Sequence, residues 1–139
     1  MAGATRPQDK FRERPIAPHL QVWRWHITMA TSILHRATGV ALYGGAILFA
    51  AWLITIAAGA ESYRYVGGLL ASPVGQLGLY LLVAAFAFHL ANGIRHFIFD
   101  TGAGLKPSDA DSTAWFAILF AIAAPVGLWV LVTFGGLHR

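Results

Sequence analysis

The stretch FHLANGIRHFIFD, residues 88–100, decides the fold because it places ionisable side chains at the end of a long apolar run. On a helix, residues three or four apart share a face, so His89, Gly93, His96 and Asp100 line one side. Polar side chains inside a membrane are costly, and an intramembrane histidine therefore predicts a functional site. Gly93 carries no side chain, and we expect it to make room there for a neighbouring helix or a flat ligand.

The composition indicates a membrane protein, since 57% of the 139 residues are hydrophobic and only 12% are charged, whereas about a quarter of a soluble domain is charged. Residues 37–60, 65–94 and 112–138 form charge-free runs of 24, 30 and 27 residues. About 20 apolar residues cross the hydrocarbon core. We therefore predict an all-α protein with transmembrane helices at about 28–58, 74–99 and 113–134.

These helices form one membrane domain, residues 27–139, behind a polar N-terminal tail and interfacial segment, residues 1–26. Residues 59–73 are expected to connect the first two spans and to include a short interfacial helix. Glycines at positions 39, 44 and 45 favour close packing of the first helix against another. The third span shows no chemical motif and is expected to serve packing and lipid contact.

Charge and cysteine content exclude several function classes. The sequence has no cysteine, which excludes disulfides, thiolate metal sites and covalent haem attachment in this chain. Six of the ten Lys and Arg residues lie in positions 1–36. This is the positive-inside pattern of a membrane protein with a cytoplasmic N-terminus, and it argues against nucleic-acid binding. The tail contains acidic residues and no apolar run, which favours a bacterial inner membrane over a mitochondrial precursor.

With this topology the start of the first helix and the end of the second meet the same membrane face. Ser32 and Arg36 share a helix face and His35 borders it. Spacing alone leaves two interpretations open: the pair binds an oxygenated ligand such as a quinone, or it only snorkels and caps. His89 lies roughly 10 Å deeper than His96 at 1.5 Å per residue. Imidazole binds haem iron and arginine suits haem propionates, although a single buried histidine more often makes an interhelical hydrogen bond.

Two motifs carry a family resemblance. The first combines R-P-x-x-P-H-L at residues 14–20 with S-I-x-H-R-x-T-G at residues 32–39, and the second is H-x-x-x-G-I-R-H-x-x-x-D at residues 89–100. Both are similar to the signatures of the cytochrome b556 subunit family of succinate dehydrogenase. The resemblance covers nearly the whole chain, including the three helices.

The resemblance implies the large membrane anchor of respiratory complex II, which is half of a heterodimeric haem-binding helix bundle. Its partners would be a second small anchor subunit, an iron–sulfur subunit and a flavoprotein subunit, together with membrane lipid. Haem b would be held noncovalently between the anchors, with one axial histidine from each, and ubiquinone would be the substrate. The chain would then contribute to succinate:ubiquinone oxidoreductase activity only as a subunit, with no catalytic residue of its own.

The resemblance also implies roles for single residues. His89 corresponds to the axial ligand of the haem iron, and His35 and Arg36 to the partners of the haem propionates. Ser32 and Arg36 correspond to the quinone-binding pair. For Arg95, His96 and Asp100 the resemblance implies supporting or subunit-docking roles, with His96 a secondary haem-side candidate.

Two alternatives remain at this point. One is the anchor of a related fumarate reductase, which has the same fold and runs in the opposite direction; a single intramembrane axial candidate argues against a two-haem anchor. The other is a non-redox membrane scaffold or small transporter, in which the histidines relay protons or only pack.

Overall fold

The computed structural model describes residues 22–135, and within them the chain is helical, with four helices and no strand. Helix α1 spans Ile27–Ala58, α2 spans Ala60–Ala71, α3 spans Pro73–Asp100 and α4 spans Pro107–Phe134. Three of them, α1, α3 and α4, are long and apolar enough to cross a membrane. The predicted all-α membrane fold with three spans is therefore confirmed. The R-P-x-x-P-H-L segment and the rest of residues 1–21 lie outside the described residues, as do residues 136–139.

Local chemistry explains where the helices break. Gly59 separates α1 from α2 with φ +111°, a value in the left-handed region that L side chains rarely adopt. Ser72 caps α3, since its hydroxyl oxygen accepts from the Gly75 backbone N–H at 3.1 Å, and Pro73 follows at the first helical position. A proline there loses no intrahelical hydrogen bond.

The start of α4 differs from the sequence expectation. The helix begins at Pro107, whereas we predicted a start near Thr113. Proline is favourable at the first helical position, and Asp109 lies in the first turn, where the positive end of the helix dipole favours a carboxylate. Asp109 and Asp111, which precede the charge-free run, therefore belong to the polar first turns of the helix.

Helix α3 is central and packs against both α1 and α4. The buried apolar residues of the described chain are mostly small and lie at these contacts: Ala87, Phe88, Ala114 and Ala117. A Cβ at Gly45 would lie 2.5 Å from Leu82 Cδ1, so this glycine lets α1 approach α3 closely. The predicted close packing around Gly45 is present, while Gly44 has no atom within 4 Å of such a Cβ.

Candidate functional site

The site lies between α1 and α3, at His89. The Nδ1 atom of His89 lies 3.1 Å from the backbone oxygen of His35 and 3.2 Å from Thr38 Oγ1. A carbonyl oxygen can only accept, so Nδ1 carries the proton and Nε2 keeps its lone pair. Within residues 22–135 no hydrogen bond occupies Nε2. Histidines that bind metals have this arrangement, with one ring nitrogen fixed by a carbonyl and the other left for the metal.

Gly39 provides the space for this imidazole. A Cβ at Gly39 would lie 3.2 Å from His89 Cε1, tighter than an ordinary contact. From sequence we assigned Gly39 to helix packing only, and the structure shows that the contact is with the histidine ring itself. A Cβ at Gly93 would lie 4.0 Å from His35 Cε1, an ordinary contact, so packing within this chain does not require glycine there.

His35 stacks on His89 with ring centroids 3.9 Å apart and planes inclined by 13°. Its own Nδ1 is buried and has no hydrogen-bond partner in the described part of the chain. Buried polar atoms in native proteins are nearly always paired, and those that are not call for an explanation. Residues 22–135 therefore leave this histidine pair with one polar atom unpaired.

His96 belongs to a second hydrogen-bonded group on α3. Asn92 Nδ2 lies 3.3 Å from His96 Nε2, and Asn92 Oδ1 accepts from Arg95 Nη1 at 3.3 Å. The His96 ring lies 5.2 Å from the His35 ring between centroids. Within residues 22–135 the two histidines of the second motif are thus bonded differently, because His96 Nε2 has a hydrogen-bond partner and His89 Nε2 has none.

Arg95 turns towards α4. Its Nε donates to Thr113 Oγ1 and its Nη2 to the Ala110 carbonyl, both at 3.0 Å, and its guanidinium carbon lies 4.5 Å from the centre of the Phe99 ring. Only 6% of its surface is exposed, whereas Asn92 is fully buried. Sequence reasoning missed Asn92. Its position three residues before an arginine on a helix was the available signal.

The structure also brings together the proposed quinone-binding pair. Arg36 Nη2 donates to Ser32 Oγ at 3.4 Å, near the start of α1, and the arginine is exposed.

Asp100 is the last residue of α3 and is exposed. Of the described residues, no three or more His, Cys, Asp or Glu side chains are grouped so as to hold a metal ion.

The fold and the site together define a class of protein: a multi-pass membrane protein with histidines along the contact between two of its spanning helices. Residues 10–132 match the family model of the succinate dehydrogenase/fumarate reductase transmembrane subunit. The chain belongs to this family.

Named relatives agree with this assignment. A succinate dehydrogenase cytochrome b556 subunit of Rickettsia felis is 32% identical over 123 residues, which cover 88% of this chain and 96% of the relative. The mitochondrial succinate dehydrogenase cytochrome b560 subunit of Mus musculus is 33% identical over 120 residues, covering 85% of this chain and 71% of the relative. The corresponding Homo sapiens subunit is 33% identical over 117 residues, with 83% and 69% covered.

Proposed function

We propose that this chain is the large membrane anchor of a succinate:ubiquinone oxidoreductase, that it binds haem b through His89, and that it helps to form the ubiquinone-reduction site. The observation that carries the proposal is the hydrogen bonding of His89: its Nδ1 is held by the His35 carbonyl, and its Nε2 has no hydrogen-bond partner among residues 22–135. The relatives' names, cytochrome b556 and b560, support a b-type haem.

The residues present fit a noncovalent haem. His89 offers the Nε2 atom of one imidazole, and with no cysteine in the sequence a thioether-bound haem is excluded. The second axial ligand would come from a partner anchor subunit. His35 and Arg36 would hold the propionates, and the unpaired Nδ1 of His35 supports a missing partner at this point. When bound, the haem supplies a one-electron carrier within the membrane.

The remaining groups act on the quinone. Arg36 and Ser32 lie within hydrogen-bond distance of each other at the start of α1 and can each donate to a carbonyl oxygen of the quinone. As electrons arrive, the guanidinium stabilises the negative charge that develops on that oxygen. Residues 32–39 of the first motif contain no acid besides His35, so we assign proton delivery to a partner subunit.

The proposal includes three partner subunits and an orientation. A second small anchor would complete the haem site, while an iron–sulfur subunit and a flavoprotein would dock on the cytoplasmic face of a bacterial inner membrane. The basic residues concentrated in positions 1–36 support this, because they favour a cytoplasmic N-terminus. Asp100, exposed at the end of α3, would then lie on the docking side.

The alternatives have less support. A fumarate reductase anchor shares the family, but the relatives named above are all subunits of succinate dehydrogenases. A scaffold in which the histidines only pack would leave no reason for His89 to keep Nε2 without a partner.

The haem assignment is tested on the purified membrane complex by optical and electron paramagnetic resonance spectra of His89→Gln, with His96→Gln as the matched control. We expect the low-spin haem signal to be lost in the first variant and kept in the second. The haem assignment would be overturned by an intact complex without haem, or by an unchanged low-spin signal in His89→Gln.

The quinone assignment is tested separately with Ser32→Ala and Arg36→Leu. We expect succinate-driven reduction of ubiquinone to fall at least about tenfold, the equivalent of about 1.4 kcal/mol of lost stabilisation. Electron transfer from succinate to a water-soluble dye, which needs no membrane site, should be retained. Equal rates of ubiquinone reduction in the variants and the parent complex would refute the assignment.

A further inference from the structure

A buried arginine links α3 to α4 without an ionic partner among its hydrogen bonds. The three acceptors of Arg95 are all uncharged: the Thr113 hydroxyl, the Ala110 carbonyl and the Asn92 side-chain oxygen. Burying a guanidinium is costly unless its donors are hydrogen-bonded, and these three acceptors satisfy it on both helices. One of the three, Asn92, also contacts His96.

The arginine fixes which way the Asn92 amide points. A guanidinium only donates, so the Asn92 atom facing Arg95 Nη1 is the oxygen, and the NH₂ group faces His96. An amide nitrogen also only donates, so His96 Nε2 is the acceptor and the proton of the neutral ring is on Nδ1. Asn92 is fully buried and cannot exchange these bonds with water.

We propose that Arg95 and Asn92 are positioning residues for His96: they cap its Nε2 and hold the ring as the Nδ1–H tautomer. His96 then cannot bind iron through Nε2 and instead presents a hydrogen-bond donor on the exposed side of α3, next to His35. Two histidines that sequence spacing places on one face would thereby differ in chemistry, one a metal ligand and the other a donor to an oxygen acceptor. The statement that His89 is a metal ligand rests on the proposed function, whereas the assignment of the His96 tautomer does not.

The proposal also gives α4 a role. From sequence this helix was assigned only packing and lipid contact. Through Thr113 and the Ala110 carbonyl it holds the guanidinium that orients Asn92. Residues of α4 thus hold Arg95, Arg95 orients the Asn92 amide, and Asn92 orients His96.

The test is the protonation of His96 in the intact complex, followed by solid-state nitrogen NMR with ¹⁵N-histidine and assigned by difference from His96→Gln. In the parent complex we expect Nδ1 protonated and Nε2 unprotonated. Asn92→Asp replaces the amide nitrogen by an oxygen of nearly the same size, which can only accept from Nε2. In this variant Nε2 should therefore become protonated.

Ser112→Ala is the control, because it removes a hydroxyl of α4 that donates to the Ser108 carbonyl within the helix and leaves the Arg95 and Asn92 contacts in place, and the His96 signals should not move. A protonated Nε2 in the parent complex, or identical His96 signals in the parent and Asn92→Asp, would overturn the proposal. If Asn92→Asp does not assemble, the parent spectrum alone decides. Haem content is measured on the same samples, so a complex with the expected His96 tautomer but no haem would contradict the proposed function and leave this inference intact.

Discussion

Replacing Thr38 by valine tests the hydrogen bonding of His89, because valine has nearly the same side-chain shape as threonine but no hydroxyl group. The Thr38 hydroxyl is one of two acceptors for the His89 Nδ1–H, at 3.2 Å, and the His35 carbonyl is the other, at 3.1 Å. A typical net hydrogen bond contributes about 0.5–1.5 kcal/mol. Since the carbonyl remains after the substitution, we take the lower half of that range, about 0.5–1 kcal/mol.

The direction of the effect follows from the charge of the iron. Acceptors on Nδ1–H make the imidazole a stronger electron donor through Nε2, which stabilises the ferric state more than the ferrous state. Losing one acceptor should therefore raise the midpoint potential of the haem. If the lost hydrogen-bond free energy destabilises only the ferric state, 0.5–1 kcal/mol corresponds to a rise in midpoint potential of about 20–40 mV for one electron.

The assay is a spectroelectrochemical titration of the purified complex, followed at the reduced haem band. Thr38→Ser keeps the hydroxyl and serves as the control, with a potential expected to match the parent. A haem-loaded Thr38→Val complex whose potential is unchanged or lower would refute the reasoning, because the hydroxyl would then not act on the ligand.

Further predictions concern packing and stability. Gly39→Ala places a methyl group 3.2 Å from Cε1 of His89; we expect the ring to tilt and the low-spin resonance signal to shift or broaden, which electron paramagnetic resonance would detect. Arg95→Leu leaves the buried side-chain oxygen of Asn92 without its arginine donor, at about 1–3 kcal/mol, and the melting temperature of the detergent-solubilised complex should fall. Ser72→Ala removes the cap bond to the Gly75 N–H; a loss of about 1 kcal/mol should appear as faster proteolysis between α2 and α3.

The spans were predictable from sequence because membrane insertion imposes a simple rule on charge. Runs without charge longer than about 20 residues must become helices, and the predicted 28–58 and 74–99 agree closely with α1 and α3. The start of α4 was not predictable in this way. Its first turns are polar and lie before the charge-free run, where hydropathy carries no signal and only Pro107 marks the boundary.

For the site, the sequence predicts only which residues share a face of a helix. Spacing places His89 and His96 on the same side of α3, and it treats them alike. Their difference depends on contacts from other elements, namely the His35 carbonyl on α1 for one and the Asn92–Arg95 group held by α4 for the other. Backbone carbonyls and rotamers of buried side chains are tertiary information, which helical periodicity does not contain.

The use of a backbone carbonyl as the partner of His89 explains the glycine at position 39. In an α-helix the carbonyl of His35 already accepts from the N–H four residues later, which is Gly39. Side chains lean towards the helix N-terminus, so the residue at position 39 is the one whose side chain would cover this carbonyl. With glycine there the second lone pair of the oxygen stays accessible, and the imidazole reaches it from α3. Thr38 and Gly39 therefore act together: one adds an acceptor for Nδ1–H, and the other exposes the carbonyl beside it.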